Sequence, residues 1–198
     1  MLATEGRPQG GELDPELVAR CQAHDSAALR VFVEHYQRAV FALLSRIIGR
    51  CAEVEDLAQE TFLRAIRALP GFDAGGRARL STWLLTIATR LALDVCRKRT
   101  RERRWSLAVD HTSTETPEPA ATPEREVQRA ELRGAIASAV AELPDDQRAA
   151  FVLAEFHGFA IEDIASALQS PESTIKTRLF RARAKLSRAL AQHRGDGE

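Results

Sequence analysis

The sequence predicts an all-α protein of two small helical domains joined by a flexible connector. Three observations lead to this. Apolar residues recur at helical steps of three and four through most of the 198 residues. The β-branched alternation of a half-buried strand is absent. Residues 105–123, WSLAVDHTSTETPEPAATP, switch abruptly to Thr, Pro, Ala and acid, a linker composition that cuts the periodic chain in two.

Residues 1–14 lack periodicity and read as a loose tail. Helices follow over 15–23, 26–49, 52–69 and 81–103, with breaks at Gly49-Arg50 and at PGFDAGGRAR. These make a first domain over 15–104. After the connector, periodicity returns over 124–142 and 145–156 and ends in a helix pair, so a second domain covers 124–192 with a short tail at 193–198.

In the 52–69 helix, Val54, Leu57, Ala58, Thr61, Ala65 and Leu69 form a core stripe that Phe62 and Ile66 widen. Asp56, Glu60 and Leu63 fall on the opposite side, beside Gln59. An outward Leu among carboxylates suits a docking face for another protein, or a solvated face with one stray Leu. The loop 70–82, PGFDAGGRARLST, supplies Arg77, Arg79, Ser81 and Thr82, and Trp83 opens a helix with Trp83, Leu84, Ile87, Ala88, Leu91 and Val95 on its buried face. That helix ends in RKRTRERR (97–104), six basic side chains against one acid. A helix dipole accounts for some cations at a C-terminus, but not for six in eight residues. Loop, aromatic and basic helix end together form a cradle for an unpaired nucleic-acid strand.

Residues 159–188, FAIEDIASALQSPESTIKTRLFRARAKLSR, read as a short helix, a tight break and a second helix. Ile161, Ile164, Ala165 and Leu168 are the apolar face of the first. Pro171 ends it and leaves Ser173 or Thr174 to cap the next. On the second, Ile175, Leu179, Ala182 and Leu186 share one face, and the remaining surface carries Lys176, Arg178, Arg181, Arg183, Lys185 and Arg188 with no acid among them. This is a helix-turn-helix pattern suited to DNA, with an ordinary helical hairpin bearing a solvated basic face as the alternative.

The formal net charge is zero, yet it is strongly segregated: the two basic blocks carry about +5 and +6, and the rest of the chain about −11. A hydrophobic content of 44% excludes wholesale disorder, and no apolar run is long enough to cross a bilayer. With no secretory signal and three scattered cysteines (Cys21, Cys51, Cys96) outside any C-x-x-C, the expectation is a cytoplasmic protein without disulfides or a zinc site. The five histidines are isolated, and neither H-E-x-x-H nor a Gly-rich phosphate loop occurs, so no catalytic residue, metal or cofactor is expected.

Three motifs in order carry a family resemblance. EDLAQETFLRA, then GFDAGG and STWLLTIATRLALDVCRKR, then ELPDDQRAAFVLAEFHGFAIEDIASALQSPESTIKTRLFRARAKL resemble a bacterial RNA polymerase sigma factor. Having two domains and no middle module is similar to the extracytoplasmic-function (ECF) group, with region 2 over 15–104 and region 4 over 124–192. The resemblance implies a promoter-recognition subunit with no catalysis of its own. It implies docking of Asp56, Gln59, Glu60 and Leu63 on the clamp helices of the largest polymerase subunit, and of the second domain on the flap of the second-largest. It further implies −10 recognition by Arg77, Arg79, Ser81, Thr82, Trp83 and Arg90, with Arg97, Lys98 and Arg101 on nearby phosphates. For the −35 major groove it implies Ser173, Thr174, Lys176, Thr177, Arg178 and Arg181. An anti-sigma protein is the expected regulatory partner.

Two departures stand out. Many members of the family read G-x-P-x-G-T-V-K-S-R across the turn, where this chain has Gln169 and Ser173 in place of the glycines, and many have Asn where this chain has Arg90. The connector also sets a constraint. Promoter elements about 25 base pairs apart lie roughly 85 Å apart, whereas nineteen connector residues reach about 65 Å fully extended and each domain adds a radius of about 12 Å. Bridging therefore requires a nearly stretched connector, and off the polymerase the domains are free to fold together. An operator-binding regulator independent of polymerase is the competing reading, but it leaves the Asp56–Leu63 face and the basic cradle idle.

Overall fold

The computed structural model describes residues 11–76, 78–105 and 124–191, which form eight α-helices and no strand. They are α1 (Pro15–Gln22), α2 (Ser26–Ile48), α3 (Glu53–Ala68), α4 (Leu80–Trp105), α5 (Glu124–Ala141), α6 (Asp145–Glu155), α7 (Ile161–Ala167) and α8 (Glu172–Ala189), with a 3-10 turn at Leu69–Gly71 after α3. The helix expected over 81–103 thus runs from Leu80 to Trp105. The rest of the connector, 106–123, lies outside the described residues, as do 1–10 and 192–198.

Local chemistry sets the helix starts in the first lobe. Asp14 caps α1 through the Glu16 amide at 2.8 Å, with Pro15 in the first turn. Asp25 caps α2 by accepting from the amides of Ala27 and Ala28, and its other oxygen holds Arg20 at 2.6 Å. Gly49, at φ 85, ends α2 in a backbone region that favours glycine.

Phe32 and Tyr36 lie at the centre of this lobe, fully buried, with Phe62 edge-on to Phe32 at 5.9 Å. The Tyr36 hydroxyl donates to Glu12 at 3.1 Å, and burial pushes its phenol far above the ordinary range. On α3 the expected stripe is buried at Val54, Ala58, Thr61, Phe62, Ala65 and the following Leu69, with Leu57 and Ile66 half-buried. Helix α4 departs from the single buried face expected of it: Leu85, Ala92, Leu93 and Cys96 are buried as well as Leu84, Ala88 and Leu91. The physical reason is a second set of neighbours, because α4 packs on α2 and α3 and also on α6 and α7 of the second lobe.

In that second lobe Ile164, Leu153, Leu143 and Ile175 are the most buried large residues. The two lobes therefore meet along α2 and α4, and polar groups fasten the seam. Arg148 of α6 donates to the Ile47 carbonyl at 2.6 Å. Arg46 of α2 lies over the Phe156 ring, 4.4 Å from its centroid. Arg90 of α4 donates to the carbonyls of Ser166 (3.1 Å) and Ala167 (3.3 Å) at the end of α7.

Candidate nucleic-acid interface and docking face

The helix-turn-helix is α7 and α8, and its turn departs from expectation at one residue. Helix α8 starts at Glu172 behind Pro171, so Ser173 and Thr174 lie in its first turn and neither side chain caps it. Pro171 supplies the entry instead: its fixed φ suits a helix start, and its carbonyl accepts from the amides of Thr174 and Ile175. Gln169 takes φ 48, the left-handed conformation for which glycine is best suited. The Ser170 amide reaches back to the Ala165 carbonyl at 3.0 Å, closing the end of α7. The turn survives without either glycine, at the cost of one strained backbone position.

Ile175, Leu179, Ala182 and Leu186 are buried, as the spacing predicts. The cationic surface of α8 is less free than the sequence suggested, because acids arrive from elsewhere in the fold. Arg178 pairs with Asp146 at 2.7 Å, Arg183 with Glu155 at 2.7 Å, and Lys185 with Glu142, whose carboxylate lies at 3.7 Å and whose backbone carbonyl accepts at 2.6 Å. Lys176 lies 3.7 Å from Glu172. Arg181 is exposed, and among the described residues it has no carboxylate partner.

Ser173, Thr174, Thr177, Arg178 and Arg181 line one wall of an open cleft of about 400 Å³. Pro144, Asp146 and Gln147, at the start of α6, form the other wall. The structure thus brings five of the six predicted −35 residues together, and Lys176 is exposed on the same helix. Sequence reasoning missed Phe180, which is 73% exposed on this cationic helix. Its position off the buried stripe was a visible signal.

The first-lobe cradle is assembled in part. Arg77 lies outside the described residues. In the loop, Asp73 folds back to accept from the Gly75 amide at 3.0 Å and the Gly76 amide at 3.1 Å. A Cβ on Gly76 would come within 3.1 Å of Asp73, so the turn has little room for a side chain there. Arg79 is exposed, Thr82 is half-buried, and Trp83 packs against Phe72 with ring centroids 5.1 Å apart. Ser81 is held by Glu12, whose carboxylate accepts from both its amide (3.2 Å) and its hydroxyl. Glu12 was not anticipated, because it lies 69 residues away in a segment without periodicity.

Trp83, Arg90 and Arg97 lie seven residues apart and so share one stripe of α4. Arg90, however, is turned to α7 at the lobe seam rather than to the loop. Arg97 (with Asp94, 3.2 Å), Lys98 (with Glu102, 3.8 Å) and Arg101 are exposed. Arg99, in the same block, serves the fold: it donates to the Ile48 carbonyl at 2.9 Å and pairs with Glu53, whose carboxyl it holds below the usual range.

On α3, Asp56, Gln59 and Leu63 are exposed and Glu60 is half-buried, so the four share an outward face with Leu63 at 48% exposure. Glu60 pairs with Arg64 at 2.6 Å, which leaves the apolar Leu63 as the feature least explained by folding. The three cysteines are unpaired, and burial pushes the thiols of Cys21 and Cys96 up. Among the described residues no cluster of His, Cys, Asp or Glu could hold a metal ion, and no helix is long and apolar enough to cross a membrane.

Comparison with known proteins accounts for both lobes. Residues 32–102 match the family described as sigma-70 region 2, and residues 133–186 match sigma-70 region 4. The chain is 35% identical over 188 residues to the RNA polymerase sigma-H factor of Pseudomonas aeruginosa, covering 90% of this chain and 94% of that one. It is 35% identical over 176 residues to the ECF RNA polymerase sigma-E factor of Escherichia coli, covering 86% and 90%. Among solved structures it resembles the sigma factor RpoE in complex with the anti-sigma factor NepR from Bartonella quintana (TM-score 0.62, 26% identity, 84% of this chain and 96% of that one). It also resembles CnrH in complex with the cytosolic domain of CnrY (TM-score 0.60, 25% identity, 89% and 96%). With both lobes matched in order and relatives aligned over nearly their whole length, the chain belongs to the ECF group of RNA polymerase sigma factors.

Proposed function

We propose that this sigma factor joins the polymerase core through the outward face of α3 and reads a promoter with the two surfaces described above. Residues 15–104 act as the core-docking and −10 domain, and residues 124–192 as the −35 domain. Asp56, Gln59, Glu60 and Leu63 meet the clamp helices, and the second lobe meets the flap. The observation that carries the −35 assignment is the cleft in which Ser173, Thr174, Thr177, Arg178 and Arg181 converge. Hydroxyls and guanidinium groups at the start of a helix are the donors that base edges and phosphates accept. Phe180 and Lys176 extend this surface: an exposed aromatic fits a thymine methyl, and an ammonium fits a phosphate.

The −10 assignment rests on Arg79, Ser81, Thr82 and Trp83 around the loop, with Arg77 completing it and Arg97, Lys98 and Arg101 neutralising phosphates. Turning a base out of the stack costs a few kcal/mol, which a loop close to the Phe72–Trp83 pair could offset by stacking. Arg90 joins this surface only when the lobes part, because its guanidinium is bound to the end of α7. Parting is required in any case, since lobes in contact cannot span roughly 85 Å of promoter. An anti-sigma protein that holds the lobes together is the matching regulator. Support comes from the two similar structures, in one of which the sigma factor RpoE is bound by the anti-sigma factor NepR and in the other CnrH is bound by the cytosolic domain of CnrY.

Reconstituting holoenzyme from core polymerase and this chain tests the reading. It should initiate RNA from specific duplex templates, and Leu63→Ala with Gln59→Ala should weaken core binding without altering the −35 base preference of assembled holoenzyme. Failure to bind core, or to initiate on any duplex template, refutes it.

A further inference from the structure

We infer that Asp146 and Ser170 are positioning residues for Arg178, fixing its guanidinium so that it discriminates between bases in the −35 groove. The inference rests on the assignment of α8 as the −35 reader. Arg178 donates through Nη2 to the Asp146 carboxylate at 2.7 Å and through Nη1 to the Ser170 hydroxyl at 3.1 Å. Ser170 is itself oriented, because its hydroxyl donates to the Leu168 carbonyl at 3.1 Å and so turns a lone pair toward Arg178. Two acceptors on two different elements thus define the plane of one guanidinium. The three come from the start of α6, the turn, and the second turn of α8, and the Arg178 side chain is only 21% exposed.

A guanidinium has five N–H donors and two are used here, so three remain for the cleft that Arg178 lines. A free arginine brings rotamer entropy to every base contact, whereas one held in a fixed plane presents its donors only in certain directions. Discrimination between bases depends on direction more than on charge, because every sequence offers the same phosphates.

The dipole at the start of α6 explains why an acid sits there, but not what Asp146 does. Asp145, one residue earlier, also serves the dipole and lies near Arg148 at 3.5 Å within the fold, whereas Asp146 turns across the cleft wall to α8. Asp146 is 52% exposed beside a surface meant for a polyanion. On net electrostatics alone its carboxylate weakens DNA binding, so its presence calls for a directional role.

The test is holoenzyme carrying Asp146→Asn, Ser170→Ala, Arg178→Ala or Asp146→Asn with Arg178→Ala, each selecting promoters from a library randomised across the −35 element. Arg178→Ala identifies the base pair it reads by the position whose preference collapses. Asp146→Asn should lower the preferred-to-next base ratio at that same position by about tenfold, leave the other positions unchanged, and raise affinity for non-selected DNA slightly. Ser170→Ala should act in the same direction at the same position. In the Arg178→Ala background, Asp146→Asn should do nothing further to preference. Thermal melting of each variant gives the folded fraction, and Ser170→Ala decides the matter if Asp146→Asn does not fold. An unchanged or sharpened preference in Asp146→Asn, or an equal effect with Arg178 absent, overturns the positioning role. If Arg178→Ala leaves every preference intact, the −35 assignment of Arg178 fails as well, and that outcome is distinct from the others.

Discussion

Arg148 donates to four backbone carbonyls drawn from both lobes, and removing it should be costly. Its guanidinium donates to Ala141 (2.7 Å), Leu143 (2.8 Å) and, more weakly, Val140 (3.3 Å) around the end of α5, and to Ile47 (2.6 Å) near the end of α2. Ala141 and Ile47 lie in the last turns of α5 and α2, where a helix has no later amide to offer their carbonyls, Leu143 lies in the turn before α6, and Val140 already accepts from the Leu143 amide at 3.1 Å; a cation at these helix ends also answers the dipole. Ala141 is exposed, so water can replace the arginine at its carbonyl. Leu143 and Ile47 are almost fully buried, at 1% and 0% exposure, and their carbonyls would be stranded. At about 1.5–2.5 kcal/mol for each stranded acceptor, Arg148→Ala should lose about 3–5 kcal/mol. With a urea dependence of about 2 kcal/mol per molar, the unfolding midpoint followed by circular dichroism should drop by about 1.5–2.5 M. Arg148→Lys keeps the charge but cannot fork, and should recover about half of that. A drop of less than about 0.5 M in Arg148→Ala would show that water or repacking satisfies those carbonyls, and the reasoning would be wrong.

The remaining predictions concern backbone strain and acid. Gln169→Gly relieves a side chain from the left-handed region and should raise stability by about 0.5–1 kcal/mol, or about 1–3 °C in Tm by thermal melting; a lower Tm would mean that the turn is not strained. The Asp25 carboxyl is held below its usual range by the Arg20 hydrogen bond and then by the amides it caps, and that of Glu53 by Arg99. A depressed folded pKa contributes stability that is fully present above the unfolded value, near pH 4 for both, and is lost as pH falls through the folded values. Asp25→Asn should therefore flatten the acid side of the stability–pH curve below about pH 4 and leave its shape near neutrality unchanged; an unaltered acid limb would remove Asp25 from the account.

Much of the candidate site was legible in the sequence because it is local. The step of three and four that buries Ile175, Leu179, Ala182 and Leu186 also puts Ser173, Thr177 and Arg181 outside, so one periodicity reads the core and the candidate DNA face together. The Leu63 face on α3 was legible for the same reason. The cap expected from Ser173 or Thr174 was not, since Pro171 takes the cap position and the helix starts at Glu172, two or three positions earlier. Glu12 went unnoticed because its partners, Tyr36 and Ser81, are 24 and 69 residues away. Periodicity contains no information about pairs that distant.

The sequence by itself determined eight helices, the inner faces of most of them (α4 excepted) and the order of the two sigma regions, because helical repeats and turn residues are short-range physics. Tertiary structure alone decided which cations are free. Asp146 and Glu155 of α6, and Glu142 of the turn between α5 and α6, come to α8 from 28 to 43 positions away and convert an apparently bare basic helix into one with selected donors left over. It alone also turned Arg90 and Arg148 onto helix-end carbonyls across the lobe seam, 76 and 101 residues distant. Charge in a sequence can be counted, but a guanidinium is committed by the nearest unsatisfied acceptor, and only folding brings that acceptor within 3 Å.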